Sequence, residues 1–207
     1  MSTKTAILKT ALTLYNESGI RAITSRHIAA EMGISPGNLH YHFKTTDSII
    51  IALYNEMVAG FDSMASAMEV KTDISLMDLR EGSEKSFELM YGYRFLFLHF
   101  VDIGIRIPSI REDYLKLTQR RIGQFMAIFQ HLITQGVFRN DLPDKILQAF
   151  VTQIFIVFDF WLSNNELTLR FRGKDAVAHY NDIFFSMLYP YLTPDAQQRL
   201  DSEAKDT

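Results

Sequence analysis

The stretch from Thr24 to Lys44, TSRHIAAEMGISPGNLHYHFK, leaves the chain few ways to fold, because its punctuation is dense. Thr24 or Ser25 offers a side-chain oxygen to the orphan backbone N–H groups that open a first helix. Ile28, Ala29 and Met32 then recur on one helical face. Gly33 stops that helix where a left-handed backbone is needed, a conformation glycine adopts without steric cost. Ile34 returns to the core, Ser35 caps a second helix, and Pro36 takes its first position, where a missing N–H loses nothing. Leu39 and Phe43, four apart, give this second helix one apolar face. Asn38, His40, Tyr41, His42 and Lys44 are left on or near its outer side.

Two short helices joined by a glycine-containing turn, the second presenting amide, imidazole, phenol and ammonium groups, are the plan of a helix-turn-helix DNA reader. Such a face can hydrogen-bond base edges, while Ser, Thr, Lys and N-terminal backbone N–H groups hold phosphates. The spacing alone also suits an ordinary helix pair with a polar outer surface.

The residues TSRHIAAEMGISPGNLHYHFKTTDSII also resemble the N-terminal signature of the TetR family of transcriptional repressors, over about the first 55 residues. The likeness includes the preceding helix, the Gly19 turn, IAAEMGIS, the small-residue opening PGN and the YHFK-type ending. It implies an all-helical dimer that represses transcription from a double-stranded DNA operator, with a variable C-terminal domain that usually binds a small effector. The positions expected to meet DNA are Thr24, Ser25, Ser35, Pro36, Gly37, Asn38, His40, Tyr41, Lys44 and Thr46. Two of them depart from the family pattern. His40 stands where the family usually has Tyr, and Thr46 where a Lys commonly holds a phosphate.

A net charge of −3 is unusual for a DNA binder until it is divided along the chain. Through residue 48, Lys4, Lys9, Arg21, Arg26 and Lys44 outnumber Glu17, Glu31 and Asp47, so the positive excess lies at the reader end. Zero cysteines exclude a disulfide scaffold and thiolate metal sites. The N-terminal MSTKTAILKTALTLYNESG is amphipathic, unlike a signal peptide, and no run is expected to approach the ~20 apolar residues of a membrane span. A soluble, cytoplasmic protein with no membrane association is expected.

The remaining periodicity predicts an all-α chain of about nine helices: a reader domain over 1–48, an effector-binding and dimerisation domain over 49–194, and a frayed polar tail over 195–207. A first helix covers Thr3 to Ser18. A long helix capped by Thr46 or Asp47 runs to about Met68, and by resemblance it is the lever that moves the reader. Helices follow from about Ser75, through the aromatic RFLFLHFVDIGIRI, from a Ser109 cap to Gln135, from Pro143 to Leu162 and from Lys174 to Leu192. Pro108 is read as a stop.

The segment PDKILQAFVTQIFIVFDFWL is apolar nearly all round and must be buried on every side, with a second subunit as the natural cover. With the last helix it resembles the family's dimerisation elements, represented here by Phe150, Ile154, Phe155, Phe158, Tyr180, Phe184 and Leu188. Phe87, Tyr91, Phe95, His99, Phe125, Phe129, Gln153 and Trp161 would converge on a small-molecule effector if the helices bundle as in the family; otherwise they fill a solid core. Asp159, beside Trp161, needs a partner, either structural or on a ligand. His99, Asp102, His131 and His179 suggest no metal site, and no phosphate loop, zincin or nucleophile-elbow motif is present, so neither cofactor nor enzymatic activity is expected. The alternative to a ligand-responsive repressor is a DNA-binding regulator controlled by a protein partner.

Overall fold

A computed structural model describes residues 2–69, 71 and 73–203. Among these the chain forms eleven α-helices and one short 3-10 helix, rather than about nine helices. The helices are α1 (Thr3–Ser18), α2 (Ser25–Glu31), α3 (Pro36–His42), α4 (Thr46–Glu69), α5 (Leu76–Gly92), α6 (Arg94–Leu98), α7 (Phe100–Arg106), α8 (Pro108–Thr134), α9 (Asp144–Leu167), α10 (Gly173–Leu188) and α11 (Pro194–Glu203). Two features account for the difference. The aromatic segment breaks at His99 into α6 and α7, and the stretch expected to fray is helical over Pro194–Glu203.

The chain divides into two compact units, one of Met1–Ser63 with Leu89–Asp113 and the other of Met64–Glu88 with Tyr114–Thr207. In the first, α1 buries Ile7, Leu8, Ala11 and Tyr15, which meet Ile28 and Ala29 of α2, Leu39 of α3, and Ile49, Ile50 and Leu53 of α4 in one core. Burying an aliphatic or aromatic side chain of this size contributes about 1.5–3 kcal/mol, so α2 and α3, seven residues each, are held by tertiary packing rather than by helix propensity. The first unit also contains α6 and α7. Phe95 packs on Tyr15 with ring centroids 5.2 Å apart.

In the second unit, Phe129, Leu132, Phe138, Leu147, Phe150, Val151, Ile154 and Leu188 are fully buried. Phe129 stacks on Phe150 at 5.5 Å, and Phe150 on Tyr191 at 4.1 Å. A single antiparallel bridge, Phe138 to Leu192, ties the α8–α9 connection to the segment after α10.

Several boundaries differ from those expected. Thr45 caps α4, one or two residues before the expected position: its hydroxyl accepts from the Ser48 N–H at 3.1 Å, and Ser48 Oγ accepts from the Thr45 N–H at 3.3 Å. Pro108 does not stop a helix but opens α8, since its ring suits the first turn and no N–H is needed there. Asp144–Leu167 is long and apolar enough, by length and composition, to cross a membrane, contrary to the expectation that no run comes near. Within the single chain its Ile146, Ile156, Phe160 and Leu167 are exposed.

Candidate nucleic-acid interface and effector region

The reader is built from its caps. Thr24 Oγ1 accepts from the His27 N–H at 3.4 Å, and His27 Nδ1 accepts from the Thr24 N–H at 3.2 Å, a reciprocal capping box in which imidazole replaces the usual Glu or Gln. Gly33 sits at φ +64°, which turns the chain between the two helices. Ser35 Oγ then accepts from the Asn38 N–H at 3.2 Å. Leu39 and Phe43 are buried beneath α3, while Ser35, Pro36, Gly37, Asn38, His40, Tyr41 and Lys44 are exposed. Tyr41, at 79% exposure, is the most open aromatic side chain of the reader, and its ring meets only the edge of its neighbour His42 among the ring contacts of the described residues.

Thr24 and Ser35 spend a lone pair on capping but keep a hydroxyl proton to donate to a phosphate oxygen. Thr46 is half-buried in the first turn of α4, and Ser25 is half-buried in the first turn of α2. Lys4 lies 5.7 Å from the Phe43 ring centroid, which holds its ammonium beside the end of α3.

A second set of residues anchors this head and has no local signature. Asn16 Nδ2 donates to the Gly92 carbonyl at 2.7 Å, and Asn16 Oδ1 accepts from the Phe95 N–H at 3.1 Å. One amide therefore clamps the end of α1 to the α5–α6 turn. Arg21 pairs with Asp102 of α7, and Arg106 pairs with Asp47 of α4 at 3.0 Å. His99 rests against Gly19, where an added Cβ would stand 3.2 Å from Nε2. Burial keeps this imidazole below its ordinary pKa, only partly offset by Asp102. The Tyr15 hydroxyl is buried without a hydrogen-bond partner, and desolvation pushes it up to about 12.

The eight residues expected at an effector site divide between the two units. Tyr91, Phe95 and His99 belong to the first; there Phe95 and His99 pack on α1, and Arg94 lies over the Tyr91 ring at 5.2 Å. Phe87, Phe125, Phe129, Gln153 and Trp161 belong to the second. Phe87 meets Trp161 at 5.3 Å and Phe158 at 4.9 Å, and Phe125 meets Phe155 at 6.0 Å. Gln153 points instead to the exposed side of α9. Asp159 accepts from the Tyr114 hydroxyl at 2.5 Å, and desolvation pushes its carboxyl up to about 6.

The residues expected at a subunit interface have the following places in the single chain. Phe150, Ile154, Tyr180, Phe184 and Leu188 are buried within their own chain, and Phe155 and Phe158 pack on Phe125 and Phe87. Helix α9 has two apolar faces, and Phe150, Ile154, Phe155 and Phe158 lie on the inner one. The outer face carries Ile146, Ala149, Gln153, Ile156 and Phe160, spaced three or four apart, and Leu167 two turns further on, all exposed, with Ile183 exposed on α10.

The chain matches two family descriptions in succession. Residues 7–53 match "Bacterial regulatory proteins, tetR family", and residues 56–200 match "Bacterial transcriptional repressor" of the TetR type. Among proteins of known role, it is 28% identical over 166 residues to the HTH-type transcriptional repressor KstR2 of Rhodococcus jostii, covering 72% of this chain and 74% of that one. It is 26% identical over 132 residues to the HTH-type transcriptional regulator QacR of Staphylococcus aureus, covering 63% and 70% of the two chains. Among solved structures, a TetR-family transcriptional regulator from Marinobacter aquaeolei superposes with a TM-score of 0.88 at 27% identity, over 100% of this chain and 98% of that one.

Proposed function

The chain belongs to the TetR family and is a DNA-binding transcriptional repressor, and from that premise we propose that it works as a homodimer on a palindromic operator and leaves it when a small molecule with an apolar or aromatic body binds. In this reading Asn38, His40 and Tyr41 meet bases or groove walls, and Thr24, Ser35, Gly37 and Lys44 meet phosphates. Gly37 helps by presenting no side chain at the start of α3, so the DNA backbone can approach closely. A repressor shares a compartment with its operator, so we assign the protein to the cytoplasm.

The observation that carries the dimer is the outer face of α9. Ile146, Ala149, Gln153, Ile156 and Phe160 recur at the three-four spacing by which helices seam together, Leu167 follows two turns on, and all remain exposed in the single chain. Exposed apolar side chains aligned over a whole helix mark an interaction surface. Pairing α9 and α10 with their copies would cover it with a four-helix bundle.

Release of DNA requires the effector to prefer a conformation in which the two readers no longer fit the groove spacing. Helix α4 contributes residues to both units and is therefore the element we assign to transmission, with the Asn16 clamp and the Arg106–Asp47 pair setting the head's attachment. Reciprocity then requires operator to weaken effector binding by the same factor. Sedimentation equilibrium together with selection of duplexes from a random pool tests the reading. A dimer that enriches a palindrome with half-sites about 34 Å or a multiple apart supports it. A monomer at micromolar concentration, or a pool that does not converge, contradicts it.

A further inference from the structure

We propose that Asp159, held by the Tyr114 hydroxyl, recognises a positively charged group on the effector, an organic ammonium or similar cation carried on an apolar or aromatic body. This deepens the ligand-responsive reading above and rests on it.

Asp159 lies in the most apolar part of α9, between Phe158 and Phe160, and is half-buried. A carboxylate taken out of water needs an opposite charge or several hydrogen bonds. Among the described residues its one hydrogen-bond partner is neutral, the Tyr114 hydroxyl at 2.5 Å. Four of the second unit's cations are engaged elsewhere, Lys71 with Asp78, Arg80 with Asp182, Arg139 with Asp141, and Arg172 with Glu166. An asparagine would satisfy the same tyrosine without the desolvation cost. The negative charge therefore has a use that the chain itself does not supply.

The surroundings suit a cation. Phe155 lies one turn before Asp159 on the same face of α9 and meets Phe125 edge-on at 6.0 Å. An aromatic side chain one helical turn from a carboxylate is the combination by which proteins hold ammonium groups. Tyr114 occupies Oδ2, leaving Oδ1 for a ligand. The packing of α8 and α9 also changes along their length. Phe129 and Leu132 of α8, like Phe150 and Val151 of α9, are fully buried. Leu117, Phe125, Phe155 and Phe158, nearer to Tyr114 and Asp159, are only partly buried.

The test uses the full-length protein and two series of probes matched in shape. One series is aryl- and alkyl-trimethylammonium salts of graded size; the other is their uncharged isosteres, in which a tert-butyl group replaces the trimethylammonium. Calorimetry is run on the wild type, Asp159→Asn and Tyr114→Phe. The expected result is that a cation binds the wild type about tenfold or more tightly than its isostere. Asp159→Asn should then lose that preference while binding the isostere unchanged, and Tyr114→Phe should lose part of it. Asp159→Asn should also raise the Tm of the unliganded protein, which a purely structural carboxylate would not do. If the isostere binds as tightly as its cation, or Asp159→Asn keeps the cation preference, the assignment falls and the ligand-responsive reading stands. If no member of either series binds, both fall.

Discussion

At Gly33 the backbone stands at φ +64°, with open space where a Cβ would be, so any cost of substitution comes from backbone conformation alone. Gly33→Ala should lower unfolding stability by about 1 kcal/mol, and Gly33→Asn by less, because asparagine tolerates the left-handed region better. Urea denaturation of the two variants checks this. Asp159 makes a pH prediction of definite sign. Its carboxyl is raised to about 6, so between about pH 4 and 6 the folded state holds a proton that the unfolded state has lost, and stability falls as pH rises through that window. The effect amounts to about 3 kcal/mol at most. Wild-type stability minus that of Asp159→Asn should therefore decrease from pH 4 to pH 7, and a flat difference would contradict it. Residues governed by local rules were legible in the sequence: Gly33, Ser35 and Pro36 do what their chemistry demands. The α4 cap was missed because Thr45 and Thr46 are equally good cappers and only the chain path selects Thr45. Asn16 was invisible because its partners, Gly92 and Phe95, lie 76 and 79 positions away.

Among the helices, α1 is held at its end by the Asn16 clamp, which satisfies a backbone carbonyl and a backbone N–H at the α5–α6 turn. Asn16→Ala should cost about 1–3 kcal/mol, because it strands polar groups rather than merely deleting a contact. Arg21→Ala should cost under about 1 kcal/mol, since that pair is exposed and screened. Comparing the two variants by urea denaturation separates clamp from surface pair; equal losses would show that the clamp has no special weight. Helix identity was legible wherever one apolar face alternates with a polar one, as in α1. Helix α9 was not: with apolar residues nearly all round, periodicity cannot say which face turns to its own chain, and only the packing sets buried Phe150 and Ile154 apart from exposed Phe160. Pro108 has the same ambiguity, since proline both ends one helix and opens the next.

In the whole molecule the polar reader face belongs to one unit and the exposed apolar seam to the other. Phe160→Glu should abolish the dimer without unfolding the chain, because the residue is already 45% exposed in the single subunit. Analytical ultracentrifugation alongside far-UV circular dichroism checks both halves of that statement. Loss of the dimer should carry loss of tight operator binding, since two readers no longer act as one. The fold class was legible in the first 55 residues through resemblance, and the reader's exposed side chains stand where the sequence put them. The effector region was less so, because residues such as Phe95 and Phe87, eight apart on the chain, belong to different units. The most direct test of the central claim is operator binding by fluorescence anisotropy across a salt series, for the wild type, Asn38→Ala and Lys44→Ala. Lys44→Ala should weaken binding to every sequence and flatten the log–log salt slope by about one unit per subunit, whereas Asn38→Ala should keep the slope and relax discrimination by about 1–3 kcal/mol. If both variants bind the operator with wild-type affinity, slope and selectivity, α3 is not the reader.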